Sequence, residues 1–192
     1  MKVRLIEKKN LLNSFFQVDV ATLQYEKFKG GWSEAVRRYN LERGEAVAVL
    51  IYLQDRKRLV LIRQFRYAVY TRAQNNGWIE EIVAGVMDEG ETPLQTAKRE
   101  CLEETGYNIR KFESIAAVFS SPGITTERVH LFIGYATSED KISEGGGLDS
   151  EHEDIELIEL SAEEVREKIL AREFTDAKTL LALNYFLLFH GN

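Results

Sequence analysis

Apolar and polar positions alternate along the first part of the chain. Residues 14–27 follow a period of two, which predicts a strand with one buried face. The Gly30-Gly31 pair then predicts a turn, and residues 35–43 alternate less regularly. We therefore predict a small antiparallel β module over residues 1–44.

The pattern changes at Glu45. Residues 45–52 and 58–64 are nearly continuous runs of Val, Ile and Leu separated by a polar segment, which is typical of a buried hairpin. We predict them as the first strands of a larger domain over residues 45–192. Four later segments have a similar strand-like composition: residues 78–83, 115–119, 128–136 and 155–160.

The clearest helix signals lie between Thr92 and Gly106. Thr92 can act as the N-cap, Pro93 suits the first helical position, and Gln95 completes a capping box. Gly106 can end the helix in a left-handed conformation. These signals predict a helix of about three turns.

Two further helices are predicted nearer the C-terminus. One begins after Ser161, with Glu164 three residues later, and the other covers residues 176–189. Strands and helices mixed in this way along the chain favour an α/β sandwich with a mixed sheet, preceded by the N-terminal β module.

Composition and charge exclude several classes of protein. The 192 residues are 44% hydrophobic, and 25 basic against 31 acidic side chains give a net charge of −6, which argues against nucleic-acid binding through a basic surface. A single cysteine, Cys101, argues against a disulfide framework or a thiolate zinc cluster. The opening residues lack the apolar stretch of a signal peptide, and the apolar run at residues 180–189 is too short to span a bilayer. We therefore expect a cytoplasmic protein with no membrane partner.

Three carboxylates share one side of the helix predicted after Thr92. At about 100° per residue, Glu100, Glu103 and Glu104 fall within one helix face. Like charges at this spacing repel one another, but a hard divalent cation such as Mg²⁺ binds carboxylate oxygens together with phosphates and water. Arg99 can pair with Glu103 four residues later. The alternative is a solvated acidic helix face.

The residues around these carboxylates favour the metal site. Gly85 is followed after five residues by Glu91, and after seven more by Arg99-Glu100-Cys101-Leu102-Glu103-Glu104-Thr105-Gly106. This spacing resembles the Nudix box, and every fixed position of that motif is matched. The departures are Cys101 and Tyr107, which occupy loosely apolar positions of the motif. The resemblance implies a Nudix α/β/α sandwich that binds Mg²⁺ or Mn²⁺ and hydrolyses a nucleoside diphosphate linked to another moiety.

Segments outside the motif are similar to the ADP-ribose and GDP-mannose pyrophosphatase branch of the Nudix hydrolases. The similarity covers nearly the whole chain, and it implies a class of substrate that the motif alone does not. The segments are Phe15-Phe16, Val36-Arg37-Arg38, Glu42-Arg43-Gly44, Leu61 to Arg66, Ser121-Pro122-Gly123, Thr126-Glu127-Arg128 and Glu151 to Ile155.

The resemblance also implies roles for individual residues in catalysis. Glu151 is expected to be the general base, and Glu103 is expected to be catalytic as a metal ligand. The run Gly145-Gly146-Gly147 can form a hinge for the loop that carries Glu151 and Glu153, and the alternative is a solvated acidic turn. The full set of implied metal ligands is Glu100, Glu103, Glu104, Glu153 and the backbone carbonyl of Ala84.

The residues implied in substrate binding are Phe15, Arg38, Arg66, Ser121 and Glu127. Arg66 is expected to bind the substrate phosphates through two parallel hydrogen bonds, with a surface ion pair as the alternative. Phe15 is expected to stack on the purine and Arg38 to reach the nucleotide, with ordinary packing as the alternative for both. In this branch the N-terminal strands exchange between subunits, so the resemblance also implies a homodimer.

The expected function is Mg²⁺-dependent hydrolysis of a nucleoside diphosphate sugar to a nucleoside monophosphate and a sugar phosphate. ADP-ribose is placed slightly ahead of GDP-mannose, because residues 36–38 and 42–44 resemble the ADP-ribose enzymes. The triple glycine and residues 176–179 and 183–185 instead resemble the GDP-mannose enzymes. Two alternatives remain: a Nudix-fold module that binds a nucleotide sugar without hydrolysis, and an enzyme for damaged nucleoside triphosphates, which fits the motif but not the N-terminal module.

Overall fold

The protein divides into two compact units. The computed structural model describes residues 1–72, 75–148, 150 and 152–191. The first unit contains residues 1–45 together with residues 119–128, and the second contains the remainder. Among the described residues, no helix is both long enough and apolar enough to cross a bilayer.

The first unit is built on a three-stranded antiparallel sheet in the order β1-β2-β3. Its strands are β1 (Val3–Asn13), β2 (Gln17–Tyr25) and β3 (Val36–Glu42). Strands β2 and β3 lie within the two predicted segments, and the turn between them contains Gly30 and Gly31 with positive φ angles. Strand β1 was not predicted, and every one of its residues is exposed.

Residues 119–128 join this sheet through β3. The amide of Leu41 donates to the carbonyl of Ile124 at 2.8 Å, and the amide of Thr126 donates to the carbonyl of Leu41 at 3.1 Å. The hydroxyl of Thr126 also donates to a carboxylate oxygen of Glu42. The sequence placed this segment in the larger domain, and the structure instead groups it with the first unit because its backbone bonds go to β3.

The second unit is built on a seven-stranded sheet. Its main order is β10-β5-β4-β9-β8, with β6 pairing with β5 and β7 pairing with β4. The strands are β4 (Glu45–Leu53), β5 (Arg58–Phe65), β6 (Trp78–Glu81), β7 (Val83–Val86), β8 (Lys111–Phe119), β9 (Arg128–Ala136) and β10 (Glu156–Leu160).

This sheet contains both parallel and antiparallel pairs. Strand β5 runs antiparallel to β4, β6 and β10. Strands β4 and β9 run in the same direction, because Arg128 at the start of β9 bonds to Gly44, just before β4, and Ala136 at the end of β9 bonds to Gln54, just after β4. The predicted mixed sheet is therefore confirmed.

The predicted helices begin and end close to the expected residues, as α2 (Pro93–Thr105), α3 (Ala162–Leu170) and α4 (Ala177–Phe189). They are preceded by a short helix, α1 (Tyr67–Tyr70). Both arms of the Thr92–Gln95 capping box form, and Gly106 ends α2 with a φ of 77°. Ser161 and Glu164 form the same box at α3, and Asp176 caps α4. The short helix α1 was not predicted.

Helices cover both faces of the seven-stranded sheet. Alternate residues of β4 point to opposite faces, as the strand period requires. Val49 and Ile51 belong to an apolar cluster that includes Cys101 and Ala97 of α2. Leu50 and Ala48 belong to a second cluster with residues of α3 and α4, namely Val165, Leu183 and Phe186. The second unit is thus an α/β/α sandwich.

Candidate active site

Helix α2 presents its carboxylates to strand β7, on which it packs. Gly85 lies on this strand, paired with Val47 of β4. A Cβ atom at this position would overlap the carboxylate of Glu100. The glycine therefore leaves room for that carboxylate to lie directly against the backbone of β7. Ala84, whose carbonyl was predicted as a metal ligand, is the preceding residue on this strand.

Arg99 is bonded to three carboxylates of the motif. Its Nε and Nη2 atoms donate to the two oxygens of Glu91, each at 3.1 Å. Its Nη1 atom donates to Glu100 at 2.7 Å and to Glu103 at 3.1 Å, which confirms the predicted pair between Arg99 and Glu103. Hydrogen bonds from Arg99 and Thr96 lower the pKa of Glu91 to about 2. Arg99 thus ties the loop before α2 to the middle of the helix.

Glu100 and Glu104 are buried carboxylates. Glu104 is 1% exposed and Glu100 is 9% exposed. Within the described part of the chain, neither side-chain oxygen of Glu104 has a hydrogen-bond partner. Burial raises the pKa of Glu104 well above its usual range and that of Glu100 to about 7. An ionised carboxylate in such surroundings is costly, so Glu104, which has no partner in the described structure, requires a proton or a cation.

The run Gly145-Gly146-Gly147 docks on the C-terminal end of α2. The amide of Gly146 donates to the carbonyl of Glu104 at 2.8 Å, and that of Gly147 donates to the carbonyl of Glu103 at 3.2 Å. The three glycines have φ angles of 71°, 104° and 87°, which side chains other than glycine rarely adopt. In this conformation the glycines hold the loop to the helix, and their action as a hinge remains a prediction.

The same loop brings Glu153 to the buried carboxylates. An oxygen of Glu153 accepts a hydrogen bond from the amide of Leu148 at 3.2 Å. After burial and Arg99, the negative charge of Glu153 is among the causes that shift the pKa of Glu100. Glu151, the predicted general base, lies outside the described residues.

Arg66 lines a small cavity together with Gln64 and Glu153. The cavity measures about 200 Å³. The Nε atom of Arg66 donates to buried Glu81 at 2.7 Å, which leaves both Nη atoms without a partner among the described residues. The buried Nε2 atom of Gln64 also lacks a partner there. Free donors of this kind suit the oxygens of a phosphate.

Glu81, Gln64 and Lys178 were not predicted as site residues. Glu81 accepts from Arg66 on one oxygen and from Lys178 on the other, the latter at 2.5 Å. The available signal was the pair Glu80-Glu81 in an otherwise apolar segment, since a buried carboxylate there needs a cationic partner. Lys178 lies on α4, so its pairing with β6 depends on the tertiary fold.

The carboxylates of this region fit a hard divalent cation. The two oxygens of Glu104 are buried and unpaired in the described structure, and oxygen ligands are those that Mg²⁺ prefers. In the described residues, no three His, Cys, Asp or Glu side chains are yet arranged around one point as a metal cage. In this conformation Arg99 binds both Glu100 and Glu103.

Phe15 is highly exposed, and all of the predicted substrate residues except Arg66 belong to the first unit. Its side chain is 86% exposed, and its ring meets that of Phe16 edge to face at 4.6 Å. The guanidinium of Arg43 lies 5.0 Å from the centre of the Phe16 ring, and 3.6 Å separate its Nε atom from an oxygen of Glu127. Phe15, Phe16, Arg43 and Glu127 therefore form one local cluster.

Arg38 and Ser121 are placed separately within this unit. Arg38 is an exposed residue of β3, and its Nη1 atom donates to the carbonyl of Arg37 at 2.9 Å. Ser121 shapes the turn in residues 119–128, because its carbonyl accepts from the amides of Ile124 and Thr125. The side chain of Ser121 is exposed.

A family comparison agrees with the spacing of the motif carboxylates and with their position at the sheet. The model of the NUDIX domain matches residues 42–182. The chain belongs to the Nudix family. This membership confirms the resemblance that the motif from Gly85 to Gly106 predicted, and the matched span includes the whole α/β/α sandwich up to the middle of α4.

Relatives of this Nudix protein match it over almost its full length. A protein of Cronobacter sakazakii named GDP-mannose pyrophosphatase is 36% identical over 190 residues, covering 98% of this chain and 96% of the relative. Proteins of the same name from Shigella flexneri serotype 5b and Escherichia coli O157:H7 are 34% identical over 191 residues, covering 98% of this chain and 97% of each relative.

A solved structure supports the Nudix fold. The crystal structure of an ADP compounds hydrolase aligns with a TM-score of 0.75 at 18% identity, covering 100% of this chain and 98% of the other. At this identity the likeness shows the fold alone. It confirms the predicted Nudix fold.

Proposed function

We propose that this protein hydrolyses the diphosphate of a nucleoside diphosphate sugar to a nucleoside monophosphate and a sugar phosphate, with GDP-mannose as the best supported substrate. The observation that carries the proposal is the pair of buried carboxylates, Glu100 and Glu104, on the helix of a complete Nudix motif. Relatives named GDP-mannose pyrophosphatase match 98% of the chain and support the choice of sugar nucleotide. We therefore place GDP-mannose ahead of ADP-ribose, which short sequence segments had placed slightly first.

The residues proposed to hold Mg²⁺ or Mn²⁺ surround these carboxylates. They are Glu100, Glu103, Glu104, Glu153 and the backbone carbonyl of Ala84. A bound divalent ion neutralises the diphosphate and lowers the pKa of water. Both oxygens of Glu104 lack hydrogen-bond partners in the described structure, so they are available to bind such an ion. The role of Arg99 in this scheme is to hold Glu91 and to release Glu100 and Glu103.

Arg66 and Gln64 are proposed to hold the diphosphate. Glu81 fixes Arg66 through its Nε atom, so that its two Nη atoms are the groups left to bind phosphate oxygens. The Nε2 atom of Gln64 adds a third donor from the same cavity. Glu151 is proposed to remove a proton from the attacking water.

The nucleoside is proposed to contact the first unit. The exposed ring of Phe15 offers a face for a purine, and Arg38, Ser121 and Glu127 provide polar groups for the base and ribose. Stacking alone accepts either adenine or guanine, because the two bases differ in their hydrogen-bonding edges. Discrimination between adenine and guanine therefore depends on a small number of polar contacts.

The test compares GDP-mannose with ADP-ribose at one saturating Mg²⁺ concentration, with the products identified. We expect a kcat/KM for GDP-mannose at least about tenfold higher, equivalent to about 1.4 kcal/mol of transition-state binding, with GMP and mannose 1-phosphate as products. A tenfold preference for ADP-ribose would contradict the choice of sugar nucleotide while retaining the reaction. Binding of either compound without hydrolysis would instead favour the non-hydrolytic module.

We further propose that the protein is a homodimer assembled through the N-terminal strands. Strand β1 is an exposed edge strand of the first unit, and a protein that leaves such an edge apolar commonly pairs it with another chain. Its exposed apolar side chains are Val3, Leu5, Ile6, Leu11 and Leu12.

Sedimentation equilibrium is expected to give twice the mass of one chain. Leu5→Asp should shift the population towards monomer because it adds a charge to the apolar strand. Asn13→Asp adds the same charge at a polar position of β1 and should leave the dimer intact. A wild-type protein that sediments as a monomer at all concentrations would refute this assembly.

A further inference from the structure

A second cavity lies in the second unit, apart from the candidate active site. It measures about 510 Å³, within the range of small-molecule pockets. It is bordered by β5, β6 and the chain that connects α3 to α4. The residues of its wall used below are Arg63, Trp78, Glu80, Lys168, Arg172 and Glu173.

This cavity and the Arg66 cavity have different lining residues. Arg63 of β5 lines the first, and Gln64 and Phe65 of the same strand line the second. On the neighbouring β6, Glu80 pairs with Arg63, whereas Glu81 pairs with Arg66. The two cavities share none of their lining residues among those described.

One cation of the cavity wall has no ion-pair partner among the described residues. Lys168 pairs with Glu80 at 3.1 Å and with Glu173 at 2.8 Å. Arg63 pairs with Glu80 at 3.0 Å and with Glu156 at 2.7 Å. Arg172 is the third cation of the wall. In the described part of the chain, its guanidinium has no hydrogen-bond or ion-pair partner.

The backbone of Arg172 is held in a conformation that disfavours arginine. Its φ angle is +61°, in the left-handed region, shortly after the end of α3. Glycine or asparagine usually occupies such a position after a helix, because other side chains crowd the backbone there. A strained residue that keeps a long cationic side chain beside a cavity points to a role for that side chain.

Trp78 supplies an aromatic surface on the same wall. Its side chain is 39% exposed, although its ring also packs at about a right angle to its neighbour Phe65, at 6.2 Å between centres and 70° between planes. A partly exposed tryptophan and an unpaired guanidinium on the wall of one cavity match a ligand that has both a planar ring and an oxyanion.

We propose that this cavity binds a small aromatic oxyanion, a phosphate or a carboxylate, with Arg172 on the anionic group and Trp78 on the ring. The planar fork of arginine binds two oxygens at once, which both phosphate and carboxylate provide. The proposal is independent of the reaction at the candidate active site, because no lining residue is shared.

The test uses Trp78 as its own reporter. In a Trp32→Phe protein, Trp78 is the remaining tryptophan of the chain. Titration with phenyl phosphate or benzoate is expected to give a saturable change in its fluorescence, and the tighter of the two identifies the oxyanion. Inorganic phosphate should bind more weakly by at least about tenfold because it lacks the ring. Equal binding of inorganic phosphate, or no saturable change with either aromatic probe, would overturn the proposal.

Two matched variants separate the role of the side chain from relief of backbone strain. Arg172→Gly removes the guanidinium and suits the left-handed backbone, so we expect an equal or higher Tm and a Kd raised by at least about tenfold. Lys57→Gly also removes one positive charge at a left-handed residue, with a φ of 52°, but Lys57 does not line this cavity. Its Kd should be unchanged. Equal affinity in Arg172→Gly and Lys57→Gly would overturn the assignment of Arg172.

A further variant and a second method exclude binding at the Arg66 cavity. Arg66→Ala should leave the Kd for the aromatic probe unchanged, and loss of binding in this variant would assign the probe to the other cavity and overturn the proposal. Calorimetric titration of the protein with both tryptophans gives the same comparison, so the result does not depend on folding of the Trp32→Phe protein.

Discussion

Glu104→Gln is expected to lower kcat/KM on the preferred substrate by at least about four orders of magnitude, or about 5.4 kcal/mol of transition-state stabilisation. The side chain is 1% exposed, and its two oxygens have no hydrogen-bond partner in the described structure. Glutamine keeps the shape but supplies neither the negative charge nor the second oxygen that a divalent cation requires. Steady-state kinetics at saturating Mg²⁺ measures this effect.

The Tm of the same variant distinguishes loss of metal binding from loss of folding. In the wild-type protein, Mg²⁺ that binds the folded state should raise the Tm, and in Glu104→Gln this increase should disappear. Without Mg²⁺ the variant should melt no lower than the wild type, because it lacks one of several neighbouring carboxylates. Glu167→Gln, at an exposed position of α3, is the control and should change neither quantity. Activity close to wild type in Glu104→Gln would remove Glu104 from the metal site.

Local sequence was sufficient to define α2, because its signals act over a few residues. The capping box joins Thr92 to Gln95, and the left-handed cap requires Gly106 immediately after the last turn. The pair between Arg99 and Glu103 likewise spans one turn. Interactions at such short spacing depend little on the rest of the fold, so this part of the site could be predicted together with its geometry.

Strand β1 was missed because two irregularities break its period of two. Its pairing with β2 shifts register between Leu5 and Glu7 and again between Asn10 and Leu12. Each shift places an extra residue in one strand, so that apolar neighbours such as Leu5 and Ile6 follow one another directly. The alternation that predicted β2 is therefore absent from residues 3–13, although they pair along most of their length.

The remaining differences arise from contacts between distant parts of the chain. Residues 78–83 were predicted as one strand, but β6 pairs with β5 and β7 pairs with β4, so the chain changes partner at Ile82. The contact of Glu81 with Lys178 and the attachment of Ile124 to Leu41 also join segments far apart in sequence. No local pattern encodes these pairings, because they depend on which elements become neighbours in the fold.

Glu151→Gln is expected to lower kcat by about 10² to 10⁴-fold while metal binding is retained. A general base must accept a proton from water, which an amide cannot do, and losses of this size are typical when such a group is removed. Since metal binding does not require the base, the rise in Tm on adding Mg²⁺ should match that of the wild type. The rate should also lose the part of its pH dependence that reports ionisation of the base.

Glu153→Gln is expected to have the opposite effect on metal binding. Glu153 lies close enough to Glu100 and Glu104 for its charge to affect both pKa values, as expected of a residue that shares a cation with them. Its variant should lose the Mg²⁺-dependent rise in Tm as well as activity, whereas Glu144→Gln, exposed in the same loop, should lose neither. If Glu151→Gln also abolishes the Mg²⁺ effect on Tm, then Glu151 is a metal ligand and the base must be sought among other residues. The separation of the two roles therefore depends on the Tm measurement, because both variants lower the rate.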